Sequence, residues 1–269
     1  MDQDQILGTM ERFDSLLISE HSTRKSLYDS KVIVDMDENA EPLLSCSDLA
    51  PEIFKNLRAL ESRKMRPPKS TQVDEKRGYY VEWFVDTVDM LEFSKETLYH
   101  VVQYFDSWTM GKSADKRKTE LLLRCMLHPC LQSLGYNLSN PTTWSFMERF
   151  MQAAQGGVEL RCMASYIAEL SLYSYNINIY LPSVVAASSV FLAKYILHPS
   201  HMPWNPTLQH CTLYEPSNLR GCVMELHDIA IGKTYNFPGI SGKYRWLLYC
   251  RVASKAVPLS IPAEYFNSI

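Results

Sequence analysis

The chain has no apolar run long enough to cross a membrane. Its most hydrophobic stretch, Leu181 to Leu197, is 17 residues long and is broken by Ser183, Ser188, Ser189 and Lys194, whereas a spanning helix needs about 20 mostly apolar residues. That stretch reads as a buried core helix. An excess of basic charge is also missing. Lys and Arg number 27 against 30 Asp and Glu, a net charge of −3, which argues against a nucleic-acid protein working through a broad basic face. The Met-Asp-Gln-Asp start lacks both the basic stretch and the apolar run of a secretory signal. The seven cysteines, at 46, 125, 130, 162, 211, 222 and 250, are odd in number and without tight spacing. Reduced, intracellular thiols are therefore expected. Gly/Ser linkers and low-complexity tracts are absent.

What is present is a core. Hydrophobic residues make up 46% and charged ones 21% of 269 residues, enough for one large domain or two small ones. Residues 1–46 mix acidic and polar side chains and read as a partly ordered extension, with a short helix over Ile6 to Ile18. From Ser47 onward the pattern is helical. Ser47 is placed to cap a first turn holding Asp48, Pro51 and Glu52, with Leu49, Ile53, Leu57 and Leu60 on one face, and this helix ends before Pro67-Pro68.

Tyr79 to Leu91 follows, then a helix capped by Ser94 with Leu98, Val101, Val102 and Phe105 on its apolar face. Asp115 to Leu134 is helical, with a kink expected at Pro129. Asn140-Pro141-Thr142 opens the next helix with Pro first, Val158 to Leu172 forms another, and Pro182 opens the core helix. Asn205-Pro206 and Glu215-Pro216-Ser217 open two more, the second stopping at Gly232. The alternating run Asn176 to Tyr180 is short and isolated. The fold class is all-α, with nine or ten helices.

Two segments carry more than periodicity. The first is Arg77-Gly78-Tyr79-Tyr80-Val81-Glu82-Trp83-Phe84-Val85-Asp86, followed by Glu96-Thr97-Leu98-Tyr99 and Tyr104-Phe105-Asp106. It resembles the start of the first box of the cyclin family. The second runs from Ala168-Glu169-Leu170-Ser171-Leu172 through Tyr180-Leu181-Pro182-Ser183 and Phe191-Leu192-Ala193-Lys194. It continues through Pro203-Trp204-Asn205-Pro206 to Pro262-Ala263-Glu264-Tyr265-Phe266, and resembles the second box and tail of plant A-type cyclins. Leu57 to Lys64 is similar to the family's N-terminal helix.

The resemblance implies tandem helical boxes that bind and activate a cyclin-dependent protein kinase, with no catalytic residue, cofactor or metal of their own. It divides the chain into an extension (1–46), a first box (47–139), a second box (140–257) and a tail (258–269). Only 34 residues separate Asp106 from Pro141, so the first box is expected to lack about two helices, the ones that would cover Leu98, Val101 and Val102. The family's Ala-Lys-Tyr/Phe-Glu-Glu stretch, whose Lys pairs with the kinase, has no counterpart, and the position of its partner Glu reads Leu127.

The resemblance also implies a shallow groove for Arg-x-Leu peptides, formed here by Arg77, Tyr79, Tyr80, Trp83 and Asp86. Trp83 would take the Leu and Asp86, one turn on, the Arg. In the family's pattern Met, Ile and Leu stand where this chain has Lys76, Tyr79 and Tyr80. A cyclin fold that no longer activates a kinase is the alternative.

Enzyme motifs fail letter by letter. Gly232-Lys233-Thr234 has His227 where a phosphate loop needs Gly, and Gly239-Ile240-Ser241-Gly242 is one residue short of a nucleophile elbow. His198, His201, His210 and Cys211 do not follow a zinc spacing. Cys125 and Cys130 read as buried small hydrophobes, and Arg24-x-x-Leu27 has the minimal shape of a degron. No membrane and no nucleic-acid partner is expected.

Overall fold

The computed structural model describes residues 49–63, 75–109, 140–232 and 238–267. Among the described residues there are nine α-helices and no strand: α1 (Ala50–Arg63), α2 (Glu75–Met90), α3 (Lys95–Thr109), α4 (Thr143–Ala153), α5 (Val158–Leu170), α6 (Pro182–Leu197), α7 (Pro206–Thr212), α8 (Pro216–Ala230) and α9 (Pro238–Lys243). Short 3-10 turns cover Ser171–Tyr173, Tyr175–Ile179, Leu247–Tyr249, Val252–Ser254 and Ala263–Phe266. The expectations for the 1–46 extension, the Pro129 kink, Leu127, Cys125, Cys130 and Arg24-x-x-Leu27 fall outside the described residues, as does the Lys76 side chain.

Local chemistry sets most helix starts. Pro182, Pro206 and Pro216 each occupy a first turn, where a missing N–H costs nothing. Asn205 Oδ1 accepts from Leu208 N at 2.8 Å, and Ser94 Oγ accepts from Thr97 N at 3.3 Å. Gly232, at φ +75° just past α8, takes the left-handed stop.

Several elements differ from the sequence expectation: α2 starts at Glu75 rather than Tyr79, α5 ends at Leu170 rather than Leu172, and two further differences have a visible cause. The helix after Pro141 begins at Thr143, because Glu96 of α3 accepts from the Thr142 and Ser145 hydroxyls at 2.6 and 2.9 Å and fixes the cap there. The run Asn176 to Tyr180, which alternates like a strand, lies mostly in a 3-10 turn. No neighbouring strand offers it a ladder, and Ile177 N instead donates to Ser174 O at 3.3 Å.

The core is built round α6, against which α4, α5 and α8 all pack. Its Val185, Val190, Phe191 and Leu192 are buried, and alanines and serines between them let the neighbours approach. Phe146, Met147 and Phe150 of α4, Met163 and Ile167 of α5, and Leu219 and Val223 of α8 close the layer. The tail is held by Phe266, stacked on Phe191 with centroids 5.2 Å apart.

Helix α1 docks across this unit. The Glu61 carboxylate accepts from Ser183 N at 3.0 Å and Ser183 Oγ at 2.7 Å. It thereby caps the positive end of α6, which its own flanking residues leave without a side-chain cap. The α2–α3 hairpin adds Val81, Phe84, Val85 and Val88 facing Leu98, Val102 and Phe105. Leu98 and Val102 are buried and Val101 half-buried, and Leu98 and Val102 belong to one core continuous with α4–α8. Tyr99 stacks on Trp144 of α4 at 6.3 Å, so the second half supplies cover.

Candidate interaction site

Helix α2 has two faces of opposite character. Positions 77, 81, 84, 85 and 88 turn inward. Positions 79, 83, 86 and 90, spaced i, i+4, i+7 and i+11, turn outward. Tyr79 is 68% exposed, Trp83 42% and Met90 75%, with exposed Asp86 among them. Leu91 and Phe93 in the following turn extend the apolar surface. Trp83 stands edge-on to Phe84 at 5.6 Å, so one side of its indole is anchored and the other is open. The result is an aromatic strip carrying one carboxylate, suited to a peptide that offers an apolar side chain and a cation.

Of the five residues expected in a peptide groove, the structure places Tyr79, Trp83 and Asp86 on this face. Tyr80 is half-buried against Phe105, 5.2 Å between centroids. Arg77 lies inside. Its Nε and Nη2 donate to the two Asp106 oxygens at 2.7 and 2.9 Å, while Nη1 donates to Leu172 O and Tyr173 O at 2.7 and 3.0 Å. Asn178 Nδ2 adds a bond to Asp106 Oδ2 at 2.9 Å. The guanidinium therefore clamps α2 and α3 onto the turns between α5 and α6.

Two further polar joints went unread in the sequence. Glu82 accepts from Tyr173 Oη and, at 2.9 and 3.1 Å, from Gly239 N. A Cβ on Gly239 would lie 2.6 Å from Glu82 Oε2, so a larger residue there would push the carboxylate aside. Glu169 is fully buried, with Tyr244 Oη at 2.6 Å and the Lys95 and Lys243 ammonium groups at 3.2 Å each. Lys243 also reaches Asp89 at 2.8 Å.

Burial and the Glu169 charge hold the Tyr244 phenol well above its ordinary pKa. Burial alone would lower Lys243, but Glu169 and Asp89 outweigh it and hold this ammonium above its usual value. The one sequence signal for this cluster was Glu169 itself, a carboxylate beside the Met163, Ile167 and Leu170 face of an apolar helix.

The other motifs settle into packing roles. Ser241 of Gly239-Ile240-Ser241-Gly242 lies 3.1 Å from Tyr166 Oη. His198 and His201 meet edge to face at 6.1 Å, and His210 is exposed. Among the described residues no group of three or more His, Cys, Asp or Glu is arranged to hold a metal ion, and no helix is long and apolar enough to cross a membrane.

Comparison with known proteins agrees with this architecture. The family model described as "Cyclin, C-terminal domain" matches residues 141–258, from just before α4 to beyond α9. The chain is similar to Cyclin-A1-1 of Arabidopsis thaliana, 36% identical over 89% of this chain and 62% of that protein. It is similar to Cyclin-A1-4 of Oryza sativa subsp. japonica, 35% identical over 87% of this chain and 79% of that protein. With Cyclin-A1-1 of Oryza sativa subsp. japonica it shares 32% identity over 99% of this chain and 64% of that protein. The chain thus spans less than two thirds of the first and third of these relatives and about four fifths of the second.

Proposed function

The chain belongs to the cyclin family, and from that premise we propose that it is a non-catalytic regulatory subunit of a cyclin-dependent protein kinase in cell-cycle control, with a weakened kinase contact. The observation that carries the reading is the completeness of the unit built round α6, together with an α2–α3 hairpin clamped to it through Arg77 and Asp106. A regulatory subunit acts by holding its kinase in one of two conformations, and a rigid helical surface suits that task. In this reading residues 47–139 form a shortened first box and 140–257 a full second box, flanked by the 1–46 extension and the 258–269 tail. The α2 strip is the docking groove for Arg-x-Leu segments of substrates or inhibitors, with Trp83 and Asp86 as its anchors. The site of action is the nucleus or cytoplasm.

Shortening supports the weakened contact. The match to the third relative runs over 323 aligned positions against a chain of 269 residues, so at least 54 of them have no counterpart here. The resemblance puts some of these missing residues in the short link between Asp106 and Pro141. It also puts a kinase-contacting Lys–Glu pair in that region; losing one partner of such a pair costs about 3–5 kcal/mol, and losing both costs less where apolar groups fill the space. An affinity roughly ten- to a thousandfold below that of a full-length plant A-type cyclin is expected, at about 1.4 kcal/mol per tenfold.

Titration of the purified chain into that cyclin's kinase, followed by histone phosphorylation, tests both parts. Measurable but weak binding with partial stimulation supports the reading, and equal affinity and activity overturn the weakened contact. Binding without any stimulation favours a second reading that the same shortening suggests, a cyclin-fold scaffold that recruits but does not activate.

A further inference from the structure

Helix α5 presents Glu159, Cys162 and Tyr166 on one face, at i, i+3 and i+7. The segment 241–255 runs along that face. At one end Lys255 Nζ sits 2.5 Å from Glu159 Oε1. At the other, Tyr166 Oη lies 3.1 Å from Ser241 Oγ, and its ring is 5.2 Å from that of Tyr244. Midway between these contacts the Cys162 and Cys250 thiols are hydrogen-bonded to each other. Both are half-buried.

The backbone fixes where Cys250 points. Cys250 and Arg251 both adopt the left-handed region, φ +53° and +51°. They are held there by Cys250 N donating to Leu247 O at 2.8 Å and Arg251 N to Trp246 O at 3.2 Å. Tyr249 packs on Tyr244 at 4.7 Å and braces the same turn. Two non-glycine residues in that conformation are costly, and the surrounding bonds maintain them.

We propose that Cys162 and Cys250 are a modification site: a hydroperoxide oxidises the pair to an intrachain disulfide that ties residues 244–255 to α5. The chemistry divides between the two sulfurs. Burial first, and then the neighbouring Cys250, push the Cys162 thiol up to about 12, which leaves Cys162 poorly suited to start the reaction and gives it the second, resolving step. The Cys250 thiolate attacks one oxygen of the hydroperoxide. The O–O bond breaks, the alkoxide departs with a proton as an alcohol, and Cys250 becomes a sulfenic acid. The Cys162 sulfur then attacks that sulfur, the S–S bond forms, the S–O bond breaks, and the hydroxyl leaves with the Cys162 proton as water. Two thiols give up two electrons and two protons, and the hydroperoxide is reduced to an alcohol and water. In a reducing compartment the resting state is the dithiol seen here.

The test uses the full chain, reduced, then exposed to stoichiometric hydrogen peroxide, blocked with a maleimide and mapped by mass spectrometry without reduction. The expected result is a linked peptide pair containing Cys162 and Cys250, formed before other thiols are consumed, reversed by dithiothreitol and accompanied by a rise in Tm. In Cys162→Ser, Cys250 should stop at the sulfenic acid and become labelled by dimedone. In Cys250→Ser, Cys162 should remain a thiol. Other cysteines oxidising first in the unmutated chain overturns the proposal, as does Cys250 labelling by dimedone as heavily with Cys162 present as without it. The map of the unmutated chain decides the matter even where a serine variant fails to fold.

Discussion

Replacing Asp106 with Ala removes one half of a buried charge pair whose two members are each 6% exposed. In the native chain Arg77 makes four hydrogen bonds, two to Asp106 and one each to Leu172 O and Tyr173 O. Asp106→Ala leaves the cation with two neutral carbonyls and no counter-charge, and it strips Asn178 of its acceptor. Breaking a buried pair in this way costs about 3–5 kcal/mol, against a total stability of about 5–15 kcal/mol for a typical domain.

The double variant Arg77→Met/Asp106→Leu strands no charge and is expected to cost much less than the single change. The pair should therefore show a coupling of about 2 kcal/mol or more in a double-mutant cycle. Urea unfolding followed by tryptophan fluorescence and circular dichroism, at low and at 1 M salt, measures each corner of the cycle. Burial predicts little salt dependence. Because the clamp joins α2 and α3 to the turns after α5, hydrogen exchange should rise over 75–109 before it rises in α6. A single variant within about 1 kcal/mol of the parent, or a double variant no more stable than the single, would refute the clamp.

Three other outcomes are expected. Val185→Asp puts an unpaired charge in the centre of the α6 layer at a cost of several kcal/mol, and should abolish the cooperative thermal transition seen by circular dichroism. Burial brings the Lys194 ammonium down from 10.5 to about 8, so the folded state carries the full cost of that charge below pH 8, and stability is gained as pH rises from 8 towards 10.5. Lys194→Met should therefore stabilise the chain by up to about 3 kcal/mol at pH 7, and a difference in unfolding free energy that fails to shrink by pH 10 contradicts this. Trp83→Ala should leave Tm nearly unchanged and weaken an Arg-x-Leu peptide by about 2 kcal/mol, roughly thirtyfold. Fluorescence anisotropy reads the loss, and unaltered affinity removes Trp83 from the groove.

What could be read in the sequence was local. Pro182, Pro206 and Pro216 mark helix starts because their missing N–H and fixed φ act at the residue itself. That Trp83 and Asp86 of the outward strip share a face followed from their i, i+3 spacing, whereas Tyr79 was placed beside them by the resemblance. The boundary at Pro141 moved by two residues because Glu96, on another helix, chose which hydroxyls would cap α4. Arg77 lies within four residues of Tyr79, Tyr80 and the rest of that strip's start, yet it faces inward, since the carboxylate that fixes it is 29 positions away. The ring that Tyr99 stacks on likewise belongs to a distant helix, Trp144 of α4. Periodicity tells which residues share a face. It does not tell what that face will meet.

The joints between the halves have a common form, and it bears on the candidate site. Glu61 with Ser183, Arg77 with the Leu172 and Tyr173 carbonyls, Glu82 with Tyr173 and Gly239, and Lys95 with Glu169 each tie α1, α2 or α3 to the unit round α6. Buried polar contacts of this kind add little net stability compared with apolar packing, but they are satisfied in only one orientation. Turning α2 by a single residue would swing Arg77 and Glu82 through about 100°, away from every partner named here. The face that α2 shows to solvent is therefore decided by what it binds inside. Replacing both Arg77 and Glu82 with leucine should keep Trp83 in the chain, yet broaden its fluorescence and weaken peptide binding with no residue of the strip altered. Unchanged peptide affinity in that variant would show that apolar packing alone orients the helix.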